Sequence, residues 1–494
     1  MKNTAVINAI SLGRHALLPL IDGASAVDRV TAFARSLPGV QDWVMFLSRP
    51  LEAAAGMRTV IRDSWTQAEL LAQMVDAAAG FEDVFYFYAD CPFLDIELAR
   101  RMHENHRRYW ADYTYADGYP YGLSPEILTR ETASRLKAAA SVAVPERDTL
   151  FSLISKDINA YDIETELSPV DQRLLRVSLA ADSQRNFLQL QRVVAAGARD
   201  AASVCDALQH NPEILRTLPA YFTIQVVERC PHACSYCPYP VVAGDVMRKT
   251  GVMPTERFSD LAARISAFSG DAVIGISLWG EPALHPSIYD LISTVLETPS
   301  LRLVIETSGV GWDPSLFGRI KDGFQRQPTW IVSLDATRED LYTQLRGKGF
   351  AEAVRSAETL LTLFPRSAWV QAVRMKENED DLDVFYKSWK ARTDNVIVQK
   401  YDPVGGLLAD RRVADLSPLQ RFPCWHLKRD LSILLDGTVP LCREDVRVTT
   451  PLGNAFTEEL SVIWERGQSV YRSHIARQYP GICAGCDEYY TYNF

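Results

Sequence analysis

The second half of the chain holds six short β-rich runs, which begin near positions 221, 271, 301, 329, 368 and 395. Most gaps between the runs carry apolar residues at helical spacing, as in ERFSDLAARISAF and AEAVRSAETLLTLF. Strands that alternate with helices predict a parallel sheet, either doubly wound or curled into a barrel. Functional side chains in such folds gather at the carboxyl ends of the strands, so we expect a site in the loops after these runs.

The first half of the chain also alternates between the two kinds of pattern. TAVINAI and DVFYFYAD are typical of strands, and ELARRMHENHRRYW has helical spacing, which predicts an α/β domain. A stretch with few helix breakers follows and is interpreted as a helical connector, and the end of the chain is irregular. The predicted regions are therefore 1–169 (front α/β domain), 170–215 (connector), 216–410 (β/α repeats) and 411–494 (irregular tail).

Composition narrows the class of protein. At 494 residues the chain is too long for one hydrophobic core, and a net charge of -10 gives no general attraction to nucleic acids or anionic membranes. No apolar run is long enough for a membrane span and no signal peptide is recognised, so we expect neither a membrane nor a nucleic-acid partner. Nine cysteines, an odd number mostly in clusters, favour metal ligation in the reducing cytoplasm over a disulfide framework.

Three of these cysteines, Cys230, Cys234 and Cys237, lie within the stretch ERCPHACSYC directly after the first β-rich run. A structural zinc site needs four ligands and a disulfide needs two thiols. Three thiolates suit a 4Fe–4S cluster in which one iron keeps an open position. His232 lies in the same loop, and we interpret it as a residue that covers the cluster rather than as a ligand.

The Cys-x3-Cys-x2-Cys spacing, with Tyr236 before the last cysteine, resembles the radical S-adenosylmethionine (SAM) enzymes. The resemblance implies a partial (β/α)6 TIM-like barrel whose three cysteines hold a 4Fe–4S cluster, with SAM bound at the open iron. It further implies reductive cleavage of SAM to a 5′-deoxyadenosyl radical, which abstracts hydrogen from a substrate. A low-potential electron donor, flavodoxin or ferredoxin, would supply the electron.

Segments after the later strands are similar to the SAM-binding segments of that family. WGEP matches the Gly-Gly-Glu-Pro turn that holds the SAM amino group, except that Trp279 replaces the first glycine. ETSG and SLDA are similar to segments that meet the ribose and carboxylate, and LRG supplies an arginine as a carboxylate partner. No catalytic acid or base for the substrate stands out. The resemblance assigns SAM contacts to Tyr236, Gly280, Glu281, Pro282, Thr307, Ser308, Ser333 and Arg346.

The tail holds four further clustered cysteines, namely Cys424, Cys442, Cys483 and Cys486. Their spacing alone allows a zinc ribbon. After a radical SAM barrel, the arrangement instead resembles the SPASM and Twitch extensions, which carry auxiliary 4Fe–4S clusters. Four cysteines are enough for one auxiliary cluster that is fully ligated by protein, which suits electron transfer and makes oxidation of a substrate plausible.

In the front domain, Asp90 and Pro92 resemble the Asp-x-Pro element of GT-A nucleotidyltransferase-like domains, where the aspartate helps to hold a metal-bound nucleotide. The opening segment lacks the clustered glycines of a phosphate-binding loop. The order of all parts resembles the spiro-SPASM proteins over nearly the whole chain.

Three hypotheses on function follow. The leading one is a radical SAM enzyme that acts on a peptide or protein, or second on a small carbohydrate or nucleotide-linked molecule. The alternative is a metal-dependent nucleotidyl- or glycosyltransferase in the front domain, with clusters that act as redox sensors. The third is a zinc-ribbon interaction protein without catalysis.

Overall fold

The structure is a computed structural model that describes residues 2–51 and 56–491. The chain forms two compact units, the first ending at Leu215 and the second beginning at Arg216. The segment 170–215, predicted as a connector, belongs to the first unit, where Phe187, Leu190 and Val204 pack into an apolar core. No helix among the described residues is long and apolar enough to cross a membrane.

The first unit is built on a seven-stranded sheet of order β3-β2-β1-β4-β6-β5-β7, in which β6 runs antiparallel to both of its neighbours. Along β1, Ala5 and Ile7 face one apolar core while Val6 faces another, so the sheet is covered on both faces. The strands are β1 (Asn3–Ala9), β2 (Val40–Leu47), β3 (Arg58–Ile61), β4 (Asp83–Tyr88), β5 (Tyr113–Asp117), β6 (Glu126–Thr129) and β7 (Ile163–Leu167). The helices are α1 (Ala26–Ser36), α2 (Gln67–Ala77), α3 (Ile96–Arg108), α4 (Arg130–Ala139), α5 (Thr149–Ile154), α6 (Gln184–Ala195) and α7 (Ala201–His210).

The second unit contains a seven-stranded parallel sheet of order β13-β12-β11-β10-β9-β8-β14. Its strands are β8 (Tyr221–Ile224), β9 (Ala272–Gly275), β10 (Leu301–Thr307), β11 (Thr329–Ser333), β12 (Ala368–Arg374), β13 (Val396–Lys400) and β14 (Asp430–Ile433). The helices up to β13 are α8 (Pro238–Ala243), α9 (Thr255–Ser269), α10 (Ile288–Glu297), α11 (Pro314–Gly323), α12 (Glu339–Leu345), α13 (Phe350–Leu363) and α14 (Glu379–Lys390).

The six predicted β-rich runs form the consecutive strands β8 to β13, which confirms the α/β fold with a parallel, partial barrel. Along β10, Leu303 and Ile305 pack into the large core that includes the helices, whereas Val304 joins Tyr221 and Ile331 in a small cluster on the inner face. This alternation is that of a strand buried on both sides.

The seventh strand, β14, comes from the segment predicted as an irregular tail and pairs with β8. The remaining tail elements are α15 (Trp425–Arg429), β15 (Thr438–Val439), β16 (Gly453–Asn454), α16 (Leu460–Arg466) and α17 (Gln468–Ile475). Gly437 lies directly before β15, which pairs antiparallel with β16. A methyl group at Gly437 would lie 2.5 Å from Phe456 Cδ2, and φ is +85°. Only glycine fits both the space and the backbone there.

Candidate functional site

A cavity of about 290 Å³ opens at the carboxyl ends of the barrel strands. Its lining includes all three cysteines of the predicted cluster loop and seven of the eight predicted SAM contacts. Pro282, the eighth, lies outside the lining, at the start of the short helical turn Pro282–Leu284. The lining residues that the sequence predicted are Cys230, Cys234, Cys237, Tyr236, Gly280, Glu281, Thr307, Ser308, Ser333 and Arg346.

The three thiols have the donor chemistry and spacing that a cluster needs. Burial raises the pKa of Cys230 and of Cys237 to about 12 and also raises that of Cys234, so these thiolates need a bound cation. Within the described ranges no three cysteine sulfurs lie within 4.8 Å of one another. Sulfurs on one tetrahedral zinc ion lie only about 3.8 Å apart, given Zn–S bonds of about 2.3 Å. As placed, the three sulfurs therefore do not meet on a single zinc ion.

The turn after β9 packs against the start of the cysteine loop. A methyl group at Gly280 would lie 1.9 Å from Val227 O, so glycine is required at this close approach. Glu281 N donates a hydrogen bond to Arg229 O (2.9 Å), one residue before Cys230. The close packing at Gly280 and this hydrogen bond fix the turn relative to the cluster loop.

Trp279 adopts the left-handed conformation, with φ of +47°, at the position where the family has glycine. A bulky residue in this conformation is strained. Its ring stacks on Tyr239, with ring centroids 5.9 Å apart, and its carbonyl accepts a hydrogen bond from Gln225 Nε2 (3.1 Å). Both rings line the cavity.

The Glu281 carboxylate is buried, and the side chains that follow β10 bind it. Thr307 Oγ1 donates to Glu281 Oε1 (2.6 Å), and Ser308 donates to Oε2 through its backbone N (2.8 Å) and its Oγ (2.7 Å). Burial raises the pKa of Glu281, although these hydrogen bonds oppose the shift. Thr307 and Ser308 thus border the cavity while their hydroxyls fix the Gly280–Glu281 turn.

Arg346 offers a free donor at the cavity. Its Nη1 donates to Asp335 Oδ2 (2.5 Å) and to Tyr236 OH, whereas its Nε is buried without a hydrogen-bond partner among the described residues. A buried unpaired guanidinium donor is costly unless a ligand satisfies it. The arrangement fits the carboxylate of bound SAM.

Two cavity residues that the sequence reasoning missed surround Ser333. Gln371 Nε2 donates to Glu306 Oε1 (2.8 Å) and lies 3.3 Å from Ser333 Oγ, which in turn donates to Glu306 Oε1 (3.4 Å). These side chains occupy inner-face positions near the carboxyl ends of three neighbouring strands. Side chains alternate between the two faces of a strand, so Glu306, two residues after Val304, shares its inner face. This alternation is the sequence pattern that would have identified Glu306.

The far wall of the cavity is charged and was also missed. It is formed by Lys400, Asp402, Arg443 and Glu444, from the end of β13 and the turn after Cys442. Burial raises the pKa of Asp402 well above its ordinary value, and the negative charge of Glu444 adds to the shift. Burial and the neighbouring negative charge thus both favour the neutral form of Asp402.

The four tail cysteines converge on a second, much smaller cavity, which Cys424, Cys442, Cys483 and Cys486 all line. Burial raises the pKa of each of these thiols, to about 12 for Cys424. Glu444 lines this cavity as well as the large one. The four-thiol site therefore borders the charged wall.

In the first unit, the Asp90 carboxylate forms an ion pair with Arg147. Arg147 Nη1 donates to Asp90 Oδ1 (3.1 Å), and Arg147 Nη2 binds Oδ2. The same guanidinium donates to Tyr121 OH (3.1 Å) and lies 3.3 Å from Asp182 Oδ2. Both oxygens that would meet a metal-bound nucleotide are engaged, so the site in this conformation does not fit that group.

Comparison with known families decides the class of protein. The radical SAM superfamily matches residues 224–388, and the iron–sulfur cluster-binding SPASM domain matches residues 424–487. The chain is a radical SAM protein of the SPASM type. This confirms the predicted family, and with it an enzyme that uses SAM, a 4Fe–4S cluster and auxiliary iron–sulfur ligation. A non-catalytic zinc-ribbon protein was the wrong hypothesis.

This radical SAM enzyme has relatives of differing closeness. An uncharacterized protein of Treponema pallidum (strain Nichols) is 42% identical over 358 residues, which cover 70% of this chain and 98% of that protein. The PqqA peptide cyclase of Ruegeria pomeroyi is 28% identical over 180 residues, or 35% of this chain and 44% of that protein. The structure of Streptococcus suis SuiB bound to precursor peptide SuiA aligns at 14% identity and a TM-score of 0.46, over 73% of this chain and 84% of that one.

Proposed function

We propose that this radical SAM enzyme abstracts hydrogen from a peptide or protein substrate in the 290 Å³ cavity, and that its auxiliary site holds one 4Fe–4S cluster. The convergence of three cysteines with seven predicted SAM contacts on one cavity carries the proposal. Cys230, Cys234 and Cys237 would hold the first cluster. With SAM bound beside it, this cluster supplies reductive cleavage of SAM and the resulting hydrogen abstraction.

The residues of the barrel position the ligands and exclude water. Arg346 Nε is available for the SAM carboxylate, and the Gly280–Glu281 turn presents backbone groups that the Thr307 and Ser308 hydrogen bonds keep in place. The polar group of Glu306, Ser333 and Gln371 lies on the inner face near the same opening. Buried, preorganised donors of this kind bind without the cost of reorganisation.

The four-thiol site supports an oxidative reaction. Cys424, Cys442, Cys483 and Cys486 would ligate the auxiliary cluster completely, which leaves no position for substrate, and Glu444 borders both cavities. A cluster at that place supplies an electron-transfer site next to the substrate. We propose that flavodoxin or ferredoxin donates the first electron and that the enzyme works in the cytoplasm, where thiols stay reduced.

A third cavity, of about 130 Å³, supports a peptide substrate, because Gln399, Lys400 and Tyr401 line both this cavity and the large one. β13, which forms part of it, has no strand on its outer side among the described residues. Val398 on this edge and Leu416 in the facing loop are exposed. Extended peptides bind such edges through backbone hydrogen bonds and side-chain pockets. The relative named PqqA peptide cyclase also favours a peptide.

The test is anaerobic incubation of the reduced, iron-loaded protein with SAM, with 5′-deoxyadenosine measured by mass spectrometry. We expect formation in the wild type and in Asp90→Ala, and none in Cys234→Ala. The nucleotidyl- or glycosyltransferase alternative predicts no 5′-deoxyadenosine in any of these proteins, and instead turnover of a nucleotide substrate that is lost in Asp90→Ala and retained in Cys234→Ala. For the substrate, synthetic peptides and nucleotide sugars are compared, and deuterium transfer from the labelled molecule into 5′-deoxyadenosine identifies the class. Leu416→Asp should reduce transfer from peptides only.

A further inference from the structure

Segment 345–349 begins at the last residue of α12 and forms hydrogen bonds with the residues between the cluster-loop cysteines. Ser235 N donates to Leu345 O (2.8 Å), and His232 Nε2 donates to Lys348 O (2.9 Å). Arg346 Nη1 binds Tyr236 OH. One hydrogen bond therefore fixes the residues between Cys230 and Cys234, and two fix the residues between Cys234 and Cys237. The loop conformation is fixed from outside the loop.

Asp335, just after β11, holds this arrangement together. Its Oδ2 accepts hydrogen bonds from Tyr236 OH (2.5 Å) and from Arg346 Nη1 (2.5 Å). Its Oδ1 accepts a hydrogen bond from Val373 N (2.7 Å) on β12, and its carbonyl accepts one from Asn378 Nδ2 (2.8 Å). One carboxylate thus connects the cluster loop and the SAM-facing arginine to two strands of the barrel.

The position of Asp335 is costly to maintain. Its side chain is 0% exposed, and its backbone has φ of +66°, in the left-handed region that non-glycine residues seldom adopt. Arg346 is 6% exposed, so the ion pair is buried and neither charge is compensated by water. A positive φ and a buried ion pair that occur together, with Arg346 in the cavity lining, indicate a functional constraint.

We propose that Asp335 is a positioning residue of the radical SAM site. It directs Arg346 Nη1 toward the loop, which leaves Nε for the SAM carboxylate, and it anchors Tyr236 between the second and third cysteines. Its negative charge, which hydrogen bonds link to Arg346 and to Tyr236 of the cluster loop, also lowers the reduction potential of the cluster bound there. This inference rests on the proposed cluster and SAM ligands.

Asp335→Asn tests the inference, because it keeps the size of the side chain and removes its charge. The matched control is Asp381→Asn, since Asp381 is also a buried aspartate that binds a backbone N and a hydroxyl, both of Thr337. In Asp335→Asn we expect unchanged iron content, SAM affinity reduced tenfold or more, and a cluster potential shifted to more positive values. Affinity is read from the change in the EPR spectrum of the reduced cluster on SAM addition.

Asp335→Asn with the potential and SAM affinity of the wild type would overturn the inference. If Asp335→Asn does not fold, Tyr236→Phe decides, since it removes the two hydrogen bonds of the hydroxyl, to Asp335 and from Arg346, and no charge. The phenylalanine variant should keep its iron and lose SAM affinity, and unchanged affinity would equally reject the role of Asp335. Failure of the proposed function is distinct, because it would appear as iron binding that does not depend on Cys234.

Discussion

Thr307 Oγ1 lies 2.6 Å from Glu281 Oε1, and both side chains are buried. Glu281 follows β9 and Thr307 ends β10, 26 positions later, yet the two side chains are hydrogen-bonded to each other. The same hydroxyl oxygen accepts hydrogen bonds from Gly309 N (3.0 Å) and Trp312 Nε1 (2.8 Å). The turn that presents Gly280 to the cavity is thus set by β10 as well as by β9.

Thr307→Val should therefore destabilise the enzyme. The substitution keeps the shape and removes one donor to a buried carboxylate and one acceptor for two buried N–H groups, a loss of about 2 kcal/mol or more. Anaerobic urea unfolding measures it. Thr362→Val, at an exposed position of α13, is the control and should change the free energy of unfolding by less than about 0.5 kcal/mol. Equal effects would show that the Glu281 network carries no stability.

Gly280→Ala should disrupt the site, since its methyl group would lie 1.9 Å from Val227 O and cannot be accommodated without backbone movement. We expect a loss of about 3 kcal/mol in the free energy of unfolding and weaker SAM binding, measured by urea unfolding and calorimetry. Gly318→Ala in α11 meets no atom within 4 Å and should stabilise by about 0.5–1 kcal/mol. A tolerated Gly280→Ala would contradict the close packing of the turn.

Trp279 permits a measurement of stored strain. Gly relieves the positive φ and Ala does not, while both remove the ring, so Trp279→Gly should be more stable than Trp279→Ala by about 1 kcal/mol. Trp110, with φ of +55° and 86% exposure, is the control, because it has the same backbone conformation and stacks on no ring among the described residues. The difference in free energy of unfolding between the Gly and the Ala variant should be the same at position 279 and at position 110. Only the Trp279 variants should also alter SAM binding, and an absent difference would remove the strain argument.

Iron analysis checks the two cluster sites separately. After anaerobic reconstitution we expect about eight irons and about eight acid-labile sulfides per chain, as two 4Fe–4S clusters require. Cys234→Ala and Cys424→Ala should each leave about four irons and about four sulfides per chain. Cys205→Ser, which lies in neither cysteine group, should leave the count unchanged. Zinc in place of iron at the tail cysteines would instead support a ribbon there.

Much of the site was visible in the sequence. The three cysteines, the Gly280–Glu281 turn and the strand-end residues were found because each belongs to a short segment whose spacing is local. The strands themselves were found because alternation with helices is also local. What the pattern could not show was where a hydroxyl points. Thr307 and Ser308 were expected to meet SAM, and the structure directs their hydroxyls to Glu281.

The chain by itself determined which chemistry is available: thiols at cluster spacing, a barrel with its loops at one end, and a second cysteine group. Tertiary structure decided which groups act together. It added β14 of the tail to the barrel sheet, joined Asp335 to Tyr236 across 99 positions, and placed Lys400, Asp402 and Glu444 in the lining of the same cavity as the cysteines. The reason is physical. Local spacing fixes the period and direction of side chains within one element, whereas burial and charge depend on neighbours that only chain folding brings close.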